Sequence, residues 1–220
     1  MARIKRMTSA VAMERKKVLF ITASRGPHKR DASLALVTII RDMLKLAETA
    51  KEARKIVKGR LVKVDGKIVT DPKRGLGIFD TLELGGKSYR VFPKKRLEVM
   101  ESAAGQKIVQ IIGKTALRGG KLQVNLNDGK NLLLEKNQYN VLDSLLITLP
   151  DQKVKEHIAF EPGATVLVIK GPHSGSTAKL IDIERKRNRV WLERDGIKSE
   201  APLYGVMAVG KDKPLIELGE

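Results

Sequence analysis

The spacing of hydrophobic positions changes along the chain, and the change predicts where helices give way to strands. From Asp31 onward, apolar residues recur every three or four positions, which predicts a helix of about twelve residues. The apolar positions of this helix are Leu36, Val37, Ile40 and Leu44. In the second half, short apolar runs alternate with Gly, Asn and Asp, a pattern typical of strands joined by tight turns.

A second helix begins at a capping box, Thr49-Ala50-Lys51-Glu52, and is expected to end at Gly59 in a left-handed conformation. At about 100° per residue, its cations share one arc of about 100° and its apolar residues share the opposite side. The cations are Lys51, Arg54, Lys55 and Lys58. The apolar residues are Ala50, Ala53, Ile56 and Val57. Because Glu52 is used in the cap, this unmixed cationic face favours RNA contact over simple solvation.

A hairpin is predicted directly after this helix. Two short β-branched runs within residues 61–69 are joined by Asp65-Gly66, the strongest short hairpin pattern. The capped helix, Gly-Arg, Val-Asp-Gly-Lys and Gly-Leu-Gly-Ile-Phe-Asp of residues 75–80 resemble the S-four type RNA-binding domain over about residues 33–90. In that family, the second helix and the hairpin form a basic L-shaped surface on structured RNA.

Two further segments resemble ribosomal-protein modules. The stretch Gly-Gly-Lys-Leu-Gln-Val-Asn-Leu-Asn-Asp-Gly-Lys-Asn at residues 119–131 resembles the central domain of the "S four e" small-subunit family. Its cations Lys121 and Lys130 either contact RNA or are only solvated, and the sequence leaves both open. Residues 161–183, with Lys-Gly-Pro-His-Ser-Gly, resemble a KOW motif of a small SH3-like barrel.

Positive charge is concentrated in the first part of the chain. The whole sequence has 43 Lys and Arg, 25 Asp and Glu and a net charge of +18. Residues 1–30 carry +8, residues 31–96 carry +8, residues 97–155 carry +2 and residues 156–220 carry zero. Such an excess predicts a polyanionic partner, and residues 1–30 are expected to form an extended basic arm or a solvated tail that orders on RNA.

Composition makes several other functions improbable. The chain has no Cys, its three His residues are far apart, and no metal-ligand spacing occurs, so we expect no metal and no cofactor. The loop Gly171 to Lys179 lacks the Gly-Lys-Ser/Thr of a phosphate-binding loop. No apolar run approaches the roughly 20 residues of a membrane helix, so we expect a soluble intracellular protein without a membrane partner.

Together, the modules resemble the "S four e" ribosomal proteins, most closely archaeal ones, over nearly the whole chain. The resemblance implies an α+β multidomain fold with a small α/β S-four type domain, a β-rich central domain and a C-terminal KOW barrel. The expected parts are an arm (1–30), the S-four type domain (31–92), the central domain (93–157) and the KOW domain (158–220). Two features depart from the family: the arm lacks the Ala-Pro and the tryptophan that are usual in the family, and Ala178 stands where the family's KOW motif usually has glycine.

The resemblance also implies a function. We expect a non-enzymatic constituent of the cytoplasmic small ribosomal subunit that binds ribosomal RNA and neighbouring ribosomal proteins and is not a homo-oligomer. The residues expected to bind RNA are Arg3, Lys5, Arg6, Arg15, Lys16, Lys17, Arg25, Lys29, Arg30, Thr49, Lys51, Arg54, Lys55, Lys58, Arg60, Lys63, Lys67, Lys73 and Arg74.

Two alternative functions and two local questions stay open at the level of sequence. An RNA-modifying enzyme needs a catalytic domain for which the two β modules leave no room. A transcription factor that uses the KOW module for protein contacts leaves the N-terminal charge without a purpose. The basic tip Arg185-Lys186-Arg187-Asn188-Arg189 either contacts RNA or is solvated. Trp191 is expected in the core, with base stacking as the alternative.

Overall fold

The computed structural model describes residues 21–216 except Lys95, Lys136 and Pro172, and excludes the side chain of Asp31. The chain divides into two compact units. The first comprises Met1–Gln106 with Leu149–Asp151, and the second comprises Lys107–Thr148 with Gln152–Glu220.

The helices of the first unit are short. After a 3-10 turn (Arg30–Ala32), α1 (Leu36–Thr38) continues as a π-helical turn (Ile39–Met43), and α2 spans Ala50–Lys58. The expected helix of about twelve residues is therefore wrong in length. The backbone just before it forms a short strand, and the Leu36 amide donates to the Arg74 carbonyl at 3.0 Å. In the described part of the chain, no helix is long and apolar enough to cross a membrane.

Two sheets complete the first unit. Their strands are β1 (Leu34–Ala35), β2 (Val62–Val64), β3 (Lys67–Ile68), β4 (Gly75–Leu76), β5 (Thr81–Leu84), β6 (Lys87–Pro93) and β7 (Leu97–Glu101). A two-stranded sheet joins β1 to β4, and a five-stranded sheet has the order β3-β2-β5-β6-β7. The apolar sides of both helices pack with this sheet in one core. The sheet includes β7, which lies beyond the expected boundary at residue 92.

The second unit begins with the strands β8 (Gln106–Ala116), β9 (Leu122–Leu126), β10 (Asn131–Leu134), β11 (Ser144–Thr148) and β12 (Val154–Ile158). They form a five-stranded sheet of order β10-β9-β8-β11-β12. Lys107 is fully buried, and its Nζ lies 3.1 Å from Asp128 Oδ2. Lys130 Nζ lies 3.6 Å from the same oxygen, so the charge of Lys130 is partly compensated within the protein.

The last sheet consists of β13 (Thr165–Val168), β14 (Thr177–Glu184), β15 (Arg189–Arg194), β16 (Ile197–Pro202) and β17 (Val206–Gly210). The strands lie in the order β16-β15-β14-β13-β17. Its buried side chains, among them Val190 and Leu192, form a separate core. The prediction of a strand-rich α+β chain is confirmed. The expectation that Trp191 lies in the core is wrong, because its side chain is 40% exposed on β15.

Candidate RNA-binding surface

The N-terminus of α2 is held by the predicted capping box. Thr49 Oγ1 accepts the Glu52 amide at 3.2 Å, and Glu52 Oε2 accepts the amides of Glu48 at 3.0 Å and Thr49 at 3.4 Å. These bonds favour the ionised carboxylate, so they lower the pKa of Glu52, the Glu48 amide most strongly and Thr49 next. Glu52, the acidic residue of α2, therefore caps the first turn of the helix.

The two sides of α2 differ as the sequence predicted. Ala53 and Val57 are fully buried, while Ala50 and Ile56 pack against the same core. The exposed side carries Lys51, Arg54, Lys55 and Lys58. The burial of the apolar side fixes the rotation of the helix, and this rotation presents the cations together to solvent.

The C-terminal end of α2 differs from the prediction. Gly59 has φ −70°, and the left-handed residue is Arg60 with φ 61°. Gly59 suits its position for another reason. A Cβ there would lie 3.1 Å from the Lys55 carbonyl oxygen, which accepts the Gly59 amide at 2.8 Å. The turn leads directly from the exposed Arg60 into β2.

The hairpin of β2 and β3 forms at Asp65-Gly66, with both residues at positive φ, as a type I′ turn requires. Asp65 also accepts the Thr81 amide at 3.1 Å, which ties the turn to β5. Lys63 and Lys67 are exposed on the two strands. Lys63 Nζ lies 3.9 Å from Glu83 Oε2, whereas Lys67 forms no ion pair with another described residue. We call Lys51, Arg54, Lys55, Lys58, Arg60, Lys63 and Lys67 the α2–hairpin surface.

A second basic group is assembled by contacts between distant segments. Arg25 donates its amide to the Lys73 carbonyl at 2.8 Å, and its own carbonyl accepts the Gly75 amide at 2.8 Å. Arg25 forms a parallel bridge with Arg74. Arg25 and Lys73 are exposed, and Arg74 is partly buried. Lys29 and Arg30 are also exposed nearby in sequence. The folded unit therefore already includes residues that the sequence assigned to the arm.

His28 docks this segment, and sequence reasoning gave it no role. Its Nε2 lies 2.8 Å from Asp80 Oδ2, which also accepts the Gly77 amide at 2.8 Å. The ring lies so close to Gly77 that a Cβ there would be 2.3 Å from His28 Nδ1. The sequence contains both partners of this contact, in Gly-Pro-His at residues 26–28 and in Gly77-Ile78-Phe79-Asp80. No local pattern indicates that two residues 52 positions apart are paired.

Six predicted RNA-binding residues lie outside the described residues: Arg3, Lys5, Arg6, Arg15, Lys16 and Lys17. In the described ranges, no group of three His, Asp or Glu residues is arranged to hold a metal ion.

The loop of the KOW-like segment, residues 169–176, is held by hydrogen bonds from its own serine side chains. Ser174 Oγ donates to the Ile169 carbonyl at 2.7 Å, and Ser176 Oγ donates to the His173 carbonyl at 2.8 Å.

Comparison with known proteins identifies the family of this chain. The model of the ribosomal family S4e matches residues 85–154, the S4 domain matches residues 36–82, and the KOW motif matches residues 162–193. A Korarchaeum cryptofilum protein named small ribosomal subunit protein eS4 is 35% identical, over 93% of this chain and 90% of the relative. The chain belongs to ribosomal family S4e. A Methanocaldococcus jannaschii S4e relative of the same name is 37% identical, over 88% and 86% of the two chains.

A solved S4e structure has the same fold. The crystal structure of the 30S ribosomal protein S4e from Thermoplasma acidophilum has a TM-score of 0.72 and 31% identity. The match covers 82% of this chain and 96% of that one. The resemblance stated from the sequence is thus confirmed. Membership in a family of structural ribosomal proteins leaves the RNA-modifying-enzyme alternative without support.

Proposed function

We propose that this S4e chain is a structural constituent of the small ribosomal subunit that binds and stabilises small-subunit ribosomal RNA, in translation and in subunit assembly. One observation carries the proposal. The four cations of α2 share its exposed side, whereas Glu52, the acid within the helix, is bound into the cap. These four cations form no ion pair with another described residue, so they are available to neutralise phosphates.

The mechanism is charge neutralisation on a surface of fixed shape. The α2–hairpin surface neutralises closely spaced phosphates where RNA helices meet, and it recognises shape more than base sequence. Engagement of about five to eight phosphates releases the corresponding counterions. The capping box and the buried side of α2 fix the helix backbone that carries the cations, so less conformational entropy is lost on binding.

We assign RNA contact to the residues predicted from the sequence. In the described unit these are the α2–hairpin surface with Thr49, Arg25, Lys29, Arg30, Lys73 and Arg74. The bridge between Arg25 and Arg74 supports a second contact, because it gathers cations that are distant in sequence. In the arm, we assign RNA contact on the basis of charge alone to Arg3, Lys5, Arg6, Arg15, Lys16 and Lys17.

The remaining assignments concern organisation and partners. We propose that the last sheet is an SH3-like barrel, supported by its five antiparallel strands and the KOW match. We propose the four parts 1–30, 31–92, 93–157 and 158–220, and we note that β7, at the start of the third part, pairs with β6 of the second. The chain acts as a single copy in the cytoplasm, away from membranes. On the ribosome it contacts ribosomal RNA and neighbouring ribosomal proteins.

Charge reversal on α2 tests this function. Arg54, Lys55 and Lys58 are replaced together by Glu, and affinity for small-subunit ribosomal RNA is measured by filter binding. We expect a loss of about a hundredfold or more, because three phosphate contacts become repulsions. Circular dichroism verifies that the variant is folded.

The matched control changes the same total charge in the C-terminal sheet. Arg185, Lys186 and Arg187 lie exposed in a 3-10 turn and are replaced by Glu. Their loss is expected to weaken binding by no more than about threefold, because Arg187 already lies 3.3 Å from Glu184 and the module has no net charge. Equal losses in the two triple variants would show that total charge, and not the α2 face, determines affinity.

A further inference from the structure

The outer face of the C-terminal sheet presents the single tryptophan of the chain. Trp191 lies on β15 between Val190 and Leu192, which are buried in the core, so its indole is on the opposite side of the sheet. Its exposed fraction is 40%. Across the strands it is paired directly with Asp182 on β14 and Glu200 on β16. A row of three side chains, with the indole between two acidic residues, thus crosses three neighbouring strands.

The two residues directly opposite the indole are acidic, and the charges farther along the same face are mixed. Glu193, two positions along β15, is exposed, and Arg189, two positions in the other direction, forms an ion pair with Glu200. Glu193 stands directly opposite Lys179 on β14 and Lys198 on β16, so the excess of negative charge is confined to Asp182 and Glu200, the two residues paired with the indole. Asp182 accepts its neighbour's amide, Ile183 N, at 2.8 Å, and forms no ion pair with another described residue. In a chain of net charge +18, this tryptophan is exposed directly between two acidic residues.

This setting disfavours RNA. A base stacked on Trp191 brings its phosphates within a few ångströms of Asp182 and Glu200, and like charges at that distance repel. A guanidinium or ammonium group is stabilised by two interactions at the same place. It stacks on the indole face, and it forms charge-assisted hydrogen bonds with a carboxylate in the same row.

We propose that the Asp182–Trp191–Glu200 row is a docking site for an arginine- or lysine-bearing segment of another protein. The Cβ atoms of directly paired strand residues are about 5 Å apart, so Asp182 and Glu200 both start within reach of one Arg side chain stacked on the indole. The row gives the KOW module a protein-binding role distinct from the RNA contact of the first unit. The proposal stands whether or not the α2–hairpin surface binds RNA.

Tryptophan emission tests the proposal directly, because Trp191 is the only tryptophan in the chain. The full chain is titrated with a short peptide of alternating arginine and glycine, with its glutamate counterpart, and with oligouridine. We expect a saturable change in emission with the arginine peptide alone. A change of equal size with oligouridine would replace the proposal by base stacking. A change that appears on concentrating the protein alone would indicate the basic arm of a second copy instead.

Two variants of equal charge change locate the site. Asp182→Lys is expected to weaken binding of the arginine peptide by at least about fivefold, through loss of the carboxylate and repulsion. Glu161→Lys, at an exposed position outside the row, is expected to change affinity by less than about twofold. Asp182→Asn, which keeps the shape of the side chain, should give an intermediate loss. Equal affinities for all three variants would overturn the proposal.

Discussion

The exposed side of α2 and the outer face of the C-terminal sheet both carry several charged side chains, but they arrange them differently. On α2 the cations share one arc and the acid is bound at the helix start. On the sheet, Arg189 is paired with Glu200, and Lys179 stands opposite Glu193. Cations already neutralised by the protein have little to gain from phosphates. The difference between the modules therefore lies in pairing as much as in net charge.

Ionic strength gives the largest contrast between the two regions. If the α2–hairpin surface engages about five to eight phosphates, RNA affinity falls about a thousandfold or more between about 50 and 200 mM salt. Binding of the arginine peptide to the Asp182–Trp191–Glu200 row involves few charges, so the affinity for the peptide falls much less over the same range of salt concentration. Filter binding and tryptophan emission measured in the same buffers check this. Parallel salt dependences would contradict the distinction between the regions.

Glycine 77 tests whether the docked segment at His28 matters for the first unit. Gly77→Ala places a Cβ 2.3 Å from His28 Nδ1, so the ring must leave Asp80. We expect the free energy of unfolding to fall by about 1–3 kcal/mol. Hydrogen exchange at the Gly75 amide, which donates to Arg25, should become faster.

The matched control lies in the second unit. At Gly113 the nearest atom to an added Cβ is Asn125 Nδ2 at 3.9 Å, an ordinary contact distance. Gly113→Ala is therefore expected to change the free energy of unfolding by less than about 0.5 kcal/mol. Urea unfolding followed by circular dichroism compares the two variants. Equal destabilisation would mean that the close contact with His28 has no special cost.

Local chemistry made the α2–hairpin surface predictable. The capping box depends on residues three apart, the cationic arc on the helical period, and the hairpin on Asp65-Gly66. Each of these patterns is complete within a few residues, so the sequence alone contains the necessary information. The same reasoning was wrong at Gly59, because the left-handed conformation moved one residue to Arg60.

Contacts between distant residues were beyond prediction from one sequence. The pairing of His28 with Asp80 and of Arg25 with Arg74 depends on where β1 and β4 meet. The first helix is shorter than its apolar period indicates because tertiary hydrogen bonds use the backbone before it. Residue type predicts a core position for Trp191, whereas strand register decides which face of β15 its side chain occupies.

The cap of α2 has an effect of intermediate size. Thr49→Ala removes the acceptor for the Glu52 amide and is expected to lower the free energy of unfolding by about 1 kcal/mol at neutral pH. Because the folded-state pKa of Glu52 is lowered, its contribution is present above the unfolded-state pKa and is lost as pH falls through the folded-state value. Urea unfolding at neutral and acidic pH measures this. Glu52→Gln, which retains an acceptor for the amides, should remove the pH dependence; persistence of the dependence would assign it to another group.

Glu83 provides the smallest and most specific test of the comparison. Its carboxylate lies 3.9 Å from Lys63 Nζ, so it introduces on the α2–hairpin surface the kind of mixed pairing found on the C-terminal sheet. Glu83→Gln frees Lys63 for a phosphate and is expected to raise RNA affinity by about two- to threefold, as expected for one exposed pair. Glu193→Gln removes an equal charge opposite Lys179 on the C-terminal sheet and should leave RNA affinity unchanged. Filter binding at low salt resolves the two variants. An equal gain from both would show that RNA responds to overall charge, and an unchanged affinity for Glu83→Gln would remove Lys63 from the surface.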